Sequence, residues 1–385
     1  MMAESFDVVI IGGGVIGLSA AYYLASMGAG SVVVLEKSRL GEGSTGKCAG
    51  GIRLQFSTEI NIQFSILSME VYEHFSEQFG VSIDFKQDGY LFLACTDGEM
   101  ALFEKSAVLQ KKMNVPVKIL SSDDIETQWS FLNSNDIRGG AFCARDGYAG
   151  PYEVVRGFYE QGKSKGVKYR ENEEVLAIEC NAGKVKGVRT SLNEYSCSSV
   201  INAAGSHSAL IGAMVGFEIP VRAYRRQLFF TGPCDLLPPR LPLIIDHHRG
   251  WYFRREGKGL LLAGPQDRES SYNTITDPLG MDWAVENALF RVPLLAACTI
   301  EGGWGGSYDI TPDCHAIIGG LDHIEGFYCA CGFSGHGFMH APAAGMFIAE
   351  LIHSGSVSGY DISSLSPHRF ERGNLLYESY TVFKE

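Results

Sequence analysis

The sequence predicts an α/β protein of two interleaved domains, one with a parallel sheet and one richer in β-structure. Three observations carry that expectation. Residues Phe6 to Gly17, FDVVIIGGGVIG, join a short apolar run to glycines at G-x-G-x-x-G spacing, and Glu36 closes a second apolar run, SVVVLEK. Near the other end of the chain a second glycine-rich elbow, CGFSGHGFMHAPAAG, again stands between a strand pattern and a long apolar helix. Between the two lie blocks such as QLFFTG and WYFRREGKGLLLAG, whose alternation is that of half-buried strands.

In the first unit Asp7 to Ile11 reads as a buried strand, Leu18 to Met27 as the helix after it and Ser31 to Leu35 as the next strand. Gly12, Gly14 and Gly17 suit a tight turn, close backbone approach to a pyrophosphate, and close packing of helix on strand. The start of the helix offers free N–H groups and a positive dipole end to the diphosphate. Glu36 lies roughly 20 residues past the glycines, where the ribose hydroxyls of an adenosine are gripped. Strand, helix, strand and acid together read as a Rossmann-like dinucleotide-binding unit.

The loop Gly41 to Arg53, GEGSTGKCAGGIR, is too long for a simple turn and is expected to have a function of its own. A helix is expected from Glu59 to Phe79, a strand over Asp88 to Cys95, a helix over Glu99 to Met113 and a strand near Pro116. Beyond Asp146-Gly147 come a helix over Tyr152 to Gly166 and strands over Val167 to Thr190, turning at Asn181-Ala182-Gly183. Ser198 to Ser208, SSVINAAGSHS, reads as a strand that returns the chain to the nucleotide domain; Ile219 to Gly264 is β-rich, and Ala316 to His353 supplies a strand, an elbow and a final helix. The expected division gives residues 1–84, 145–217 and 305–385 to the dinucleotide domain, and 85–144 and 218–304 to a β-rich cap.

Composition points to a small-molecule enzyme. A net charge of −12 argues against nucleic acid and anionic membrane surfaces, which attract basic patches. No run approaches the roughly 18 apolar residues of a membrane span. Ten cysteines lie scattered without C-x-x-C spacing, which reads as buried thiols in a reducing compartment, and a cytoplasmic location is expected. No metal site is expected: His247 and His248, if adjacent on a strand, point to opposite faces.

The motifs FDVVIIGGGVIG with Glu36, GSTGKCAGGIR, DGYAGPYE, VINAAGSHS, TPDCHAIIG and CGFSGHGFMHAPAAG together resemble the D-amino-acid-oxidase-like family of FAD-dependent amine oxidoreductases. Within that family GIRLQF, GFSGHGFMHAP and PHRFERG look most like the β subunits of heteromeric sarcosine oxidases and of L-proline dehydrogenases. The resemblance implies FAD extended across the first domain. Gly12, Gly14, Gly17 and Glu36 would hold its adenosine diphosphate, Ser44, Thr45 and the backbone of Cys48, Ala49 and Gly50 its middle, Val175 its adenine, and Ala204 and Gly205 its pyrophosphate. Gly332, Gly335, His336, Gly337, Phe338 and Met339 would face the flavin ring, with the positive end of the last helix near its pyrimidine side.

The same resemblance makes departures informative. The cysteine that tethers FAD in monomeric relatives is Gly306 here, so FAD is expected to bind non-covalently; a second flavin, FMN at a subunit interface, would also be non-covalent, because ARDGYAG offers no histidine. Leu261 stands where oxidase relatives carry an oxygen-activating lysine, and Met339 where a lysine takes the substrate carboxylate. A small amino acid is the implied substrate, an alpha-type subunit the implied partner, and flavin the hydride acceptor, the alternative being an FAD-loaded non-catalytic or electron-transfer subunit. Arg53 is the first candidate for the substrate carboxylate or, alternatively, for balancing flavin charge, since its fork suits planar anions. Arg254 is the second, one of Arg254 and Arg255 being expected on a solvated strand face. Tyr252, Tyr308 and His336 complete the candidate catalytic set, and His340 flanks the same elbow.

Overall fold

Five parallel strands lie side by side in the order Ile324–Cys331, Ser199–Asn202, Val8–Ile11, Val32–Leu35 and Lys168–Arg170. This is a computed structural model, and it describes residues 4–380. Val8–Ile11 and Val32–Leu35 are buried along their whole length, as central strands covered on both faces must be. Ile317–Leu321 adds antiparallel to one edge, and the meander Val175–Asn181, Lys184–Thr190, Glu194–Ser196 joins through Lys184 opposite Glu325. The helix Val15–Met27 packs directly on the last helix, Gly337–Ser354; a Cβ at Gly345 would come within 2.2 Å of Ser19 Oγ, so the small residues there allow the contact.

The second sheet has eight strands, in the order Ile300–Ile310, Arg222–Thr231, Gly259–Gln266, Trp251–Glu256, Leu243–Asp246, Tyr90–Ala94, Gly139–Cys143 and Val117–Ser121. All its pairs are antiparallel except Leu243–Asp246 beside Tyr90–Ala94. Ile300–Ile310 pairs with Arg222–Thr231 along nearly its full length and runs through the boundary expected at residue 305.

Four local departures have physical causes. The first helix begins at Val15, three residues sooner than its apolar pattern suggests, because Thr45 Oγ1 accepts the Val15 N–H and anchors that turn. The helix expected from Glu59 to Phe79 breaks at His74 into Glu59–Glu73 and Phe75–Phe79; the second piece turns so that Phe75 and Phe79, stacked at 4.3 Å, meet the Phe158 ring. Two helices not expected from the sequence have clear caps: Ser122–Gln128 starts on a Ser121–Asp124 capping box, and Pro278–Arg291 on Asp277 with proline in its first turn. His247 and His248 occupy the turn after Leu243–Asp246 rather than a strand, His247 against the Phe103 ring and His248 beside Glu99.

Candidate active site

The amino-terminal glycines form a cradle with one open side. A Cβ at Gly12, whose φ is +111°, would lie 2.4 Å from Ala203 O, and one at Gly17 2.0 Å from Gly12 O, so both positions are closed to side chains by backbone. Gly14 differs: an added Cβ would meet only Thr45 Oγ1, at 3.2 Å. The helix after Gly14 has no side-chain cap bonded at Gly14 and no acid in its first turn, the condition that favours an anion. Glu36 accepts the Gly13 N–H at 2.8 Å and the Ser38 N–H at 2.9 Å, so its carboxylate sits on the rim of the cradle. These residues fit a dinucleotide diphosphate.

The second elbow is held from the strand Ile300–Ile310. Gly332, Ser334 and Gly335 all have positive φ, at 70°, 53° and 87°. Asp309 fixes them: its carboxylate accepts the Phe333 N–H at 3.0 Å and its carbonyl the Ser334 N–H at 3.1 Å. Burial pushes the Asp309 carboxyl up to about 6, with the amides of the elbow opposing. Gly335 lies against Tyr308, where a Cβ would come within 2.6 Å of the ring. The last helix then starts at Gly337 without a side-chain cap or an acid in its first turn.

Elbow, small-residue loop and cap sheet line a cavity that is partly open to solvent. The loop lines it with Cys48, Ala49, Gly50 and Arg53, the elbow with Ser334, Gly335, His336, Phe338 and Met339, and Ile300–Ile310 with Tyr308. The cap strands add Tyr90, Leu243, Ile245, Tyr252 and Gln266, and Tyr380 comes from the carboxy-terminal segment. Arg53, Tyr252, Tyr308 and His336, expected to act together, do meet here.

Arg53 is the sole cationic side chain among the described residues lining the cavity, and it is 4 % exposed. Its guanidinium donates to Gln55 O through Nη1, and to His336 Nε2 at 3.2 Å and Tyr380 O at 3.3 Å through Nη2. Three of its five donors are so engaged with neutral partners, leaving two for a ligand. Its face lies 3.8 Å from the Phe56 ring centre. Burial pulls its pKa down, and the Glu378, Tyr90 and Asp146 groups oppose that shift. Burial, then Arg53, then His340 and His315 drive His336 well below its ordinary value, so the imidazole is neutral and accepts from Arg53. His340, equally depressed by burial and by Arg53, faces Ser65 Oγ at 3.0 Å. Asp146 supports the loop from behind, accepting from Leu54 N at 2.8 Å and Gln55 Nε2 at 3.0 Å.

Other expected residues fall outside the cavity. Ser44 donates to Ser307 O at 2.5 Å, which ties the loop to the Ile300–Ile310 strand. Val175 and Ala204 lie along the first sheet, Val175 buried at a strand start and Ala204 opening the turn at Gly205, whose φ is +54°. Arg254 does not line the cavity; it donates to Ala49 O at 2.6 Å, pairs with Glu256 and covers the Tyr148 ring. The expectation of a solvated arginine at this pair is corrected: Arg254 and Arg255 are each 7 % exposed, and Arg255 binds the carbonyls of Cys234, Leu237, Pro238 and Lys258. Leu261 is fully buried opposite Arg254. Sequence reasoning missed Tyr90, Gln266 and Tyr380, each of which reads locally as core or strand face.

Comparison with known proteins agrees with this geometry. A family model described as FAD dependent oxidoreductase, DAO, matches residues 7–351. The chain is 31 % identical over 416 residues to FAD-dependent oxidoreductase domain-containing protein 1 of Xenopus laevis, covering 95 % of this chain and 83 % of that one. It is 28 % identical over 380 residues to sarcosine oxidase subunit beta of Rhizobium meliloti, covering 97 % and 90 %. Among solved structures, L-proline dehydrogenase from P. horikoshii superposes with a TM-score of 0.91 at 33 % identity, covering 97 % of this chain and 100 % of that one. No helix among the described residues is long and apolar enough to cross a membrane. With the diphosphate cradle, the helix-capped elbow and a match over most of its length, the chain belongs to the DAO family of FAD-dependent oxidoreductases.

Proposed function

We propose that this protein oxidises a small secondary or primary amino acid, with L-proline, sarcosine and related N-alkylglycines as leading substrates, and works as the catalytic beta subunit of a heteromer. One observation carries the reading: a single buried cation, Arg53, faces a cavity otherwise lined by neutral groups, beside the elbow suited to a flavin ring. A carboxylate entering that cavity exchanges water for a charge-assisted contact at low dielectric. FAD, when bound, accepts the hydride equivalent from the carbon next to nitrogen. The chain then has to orient that carbon and admit the amine unprotonated; neutral His336, Tyr252 and Tyr308 can accept or donate hydrogen bonds without adding a positive charge that would repel a cationic amine. The names of two relatives, a sarcosine oxidase subunit beta and an L-proline dehydrogenase, support the substrate class and the alpha-type partner.

Gly306 and the histidine-free turn at Asp146-Gly147 support non-covalent FAD and, where FMN is taken at an interface, non-covalent FMN. The ten free cysteines support a reducing, cytoplasmic setting. In this proposal Gly12, Gly14, Gly17 and Glu36 carry the nucleotide end, and Gly332 to Met339 the ring.

A screen of amines against an artificial electron acceptor tests it. The expected result is dye reduction with proline or sarcosine that exceeds peroxide formation, since Leu261 supplies no cation for oxygen. Turnover confined to amines without a carboxylate would contradict the proposal.

A further inference from the structure

We propose that the carboxy-terminal segment Glu378–Tyr380 forms one wall of the substrate cavity, with Tyr380 limiting the size of the amino acid that fits and Glu378 as the positioning residue that holds it there. The inference rests on reading the cavity as a substrate site and adds to that reading the residue that selects among substrates.

The segment is drawn inward by a chain of specific contacts. Asp313 pairs with Arg369 at 2.8 Å with both side chains buried, and the same carboxylate accepts the Leu376 N–H at 3.3 Å. Two residues on, Glu378 is 5 % exposed and accepts from five neutral donors: Ser57 N at 2.8 Å, Ser57 Oγ at 2.7 Å, Tyr380 N at 3.0 Å, Thr58 Oγ1 at 3.2 Å and Asn61 Nδ2 at 3.0 Å. Ser57 Oγ in turn accepts the Ser379 N–H at 2.7 Å. A buried carboxylate is costly unless its lone pairs are satisfied, and an apolar residue would anchor a chain end with less demand on geometry. What Glu378 adds is orientation. It fixes the backbone on both sides of Ser379 against the segment that follows Arg53.

The orientation places Tyr380, 1 % exposed, beside the cation. Its carbonyl takes an Arg53 Nη2 hydrogen at 3.3 Å, and its ring stands edge-on to Phe92 at 4.9 Å and against Phe103 at 5.1 Å while lining the cavity. An amino acid held by its carboxylate at Arg53 keeps its nitrogen and side-chain substituents within a few bonds of that contact. Tyr380, held to the same guanidinium by its carbonyl and lining the same cavity with its ring packed on Phe92 and Phe103, therefore bounds those substituents.

The test compares kcat/KM for sarcosine and for N-benzylglycine in the wild-type holoenzyme and in Tyr380→Ala, Tyr380→Phe and Glu378→Ala. Tyr380→Ala should shift the ratio at least about tenfold toward N-benzylglycine, while Tyr380→Phe, which keeps the ring, holds it within about twofold. Glu378→Ala should raise the KM for sarcosine more than it lowers kcat, with flavin content and absorbance unchanged. If Tyr380→Ala does not fold, Tyr380→Leu opens the same wall with less loss of volume. A ratio unchanged in a flavin-loaded Tyr380→Ala or Tyr380→Leu enzyme that still oxidises sarcosine overturns the wall. A wild-type holoenzyme that oxidises no amino acid overturns the substrate-site reading itself, and the two failures are distinct.

Discussion

Arg53 and His336 lie 283 residues apart in the chain and meet at 3.2 Å, cation donating to neutral imidazole. The pairing joins the two glycine-rich regions at the cavity. Because Nε2 of His336 accepts, its proton resides on Nδ1, and burial beside a guanidinium keeps the ring uncharged. Among the described residues lining the cavity, the arginine is thus left as the lone positive charge.

Arg53→Lys should weaken substrate binding strongly. An ammonium has three donors and no planar fork, so it cannot hold Gln55 O, Tyr380 O and His336 while also meeting a carboxylate. The loss of one charge-assisted contact is worth roughly 1.5 to 3 kcal/mol, about tenfold to a hundredfold in KM. A change in flavin absorbance and potential with KM intact would assign Arg53 to the cofactor instead.

Gly14→Val separates binding from folding. Its Cβ meets a single side-chain atom, Thr45 Oγ1 at 3.2 Å, which has to shift slightly to admit it, and its φ of −76° is one that any residue adopts, whereas Gly12 and Gly17 are enclosed by backbone. The variant should therefore fold with near wild-type thermal stability and purify colourless. Full flavin content in this protein would refute the cradle.

Asp146 supplies a pH signature. Burial pushes its carboxyl up from 3.8 to about 7, against the opposing hydrogen bonds from Gln55 and Leu54. Between those values the folded protein holds a proton that the unfolded chain has released, so this group's contribution to stability falls as pH rises and levels off above about 7. Asp146→Asn lacks that titration. Its melting temperature relative to wild type should climb from about pH 5 to about pH 8; a difference flat across that range would contradict the shift.

Arg369→Met tests the buried pair of Arg369 with Asp313. Arg369 and Asp313 are side chains with 2 % and 0 % exposure, and against burial, which pushes it up, Arg369 holds the Asp313 carboxyl below its ordinary value. Removing the cation strands a buried charge, at a cost of roughly 3 to 5 kcal/mol. Chemical denaturation should show that loss; stability equal to wild type would mean the pair is dispensable.

What could be read from sequence was what local geometry dictates. Gly12, Gly17 and Glu36 belong to one contiguous strand, helix and strand, so spacing alone marks them. The Gly332 to Met339 elbow is likewise contiguous. Arg53 was visible because it ends an unusual loop, but its partners His336 and Tyr380 are distant in sequence, and no local pattern marks the pairing. Tyr90, Gln266 and Tyr380 each sit in an ordinary apolar or strand context until the cap sheet folds over the loop. One of Arg254 and Arg255 reads from the strand pattern as solvated, yet both are buried, since carbonyls of neighbouring segments accept from their donors.

The central claim is that an amino acid, held by its carboxylate in the Arg53 cavity, reduces the bound flavin. Anaerobic mixing of the purified protein with sarcosine and, separately, with sarcosine amide tests it in a single turnover. The long-wavelength flavin absorbance should bleach rapidly with sarcosine, or with L-proline in its place, and at least about tenfold more slowly with the amide, which offers Arg53 no anion. Equal bleaching by acid and amide, or bleaching by neither amino acid, would contradict the account.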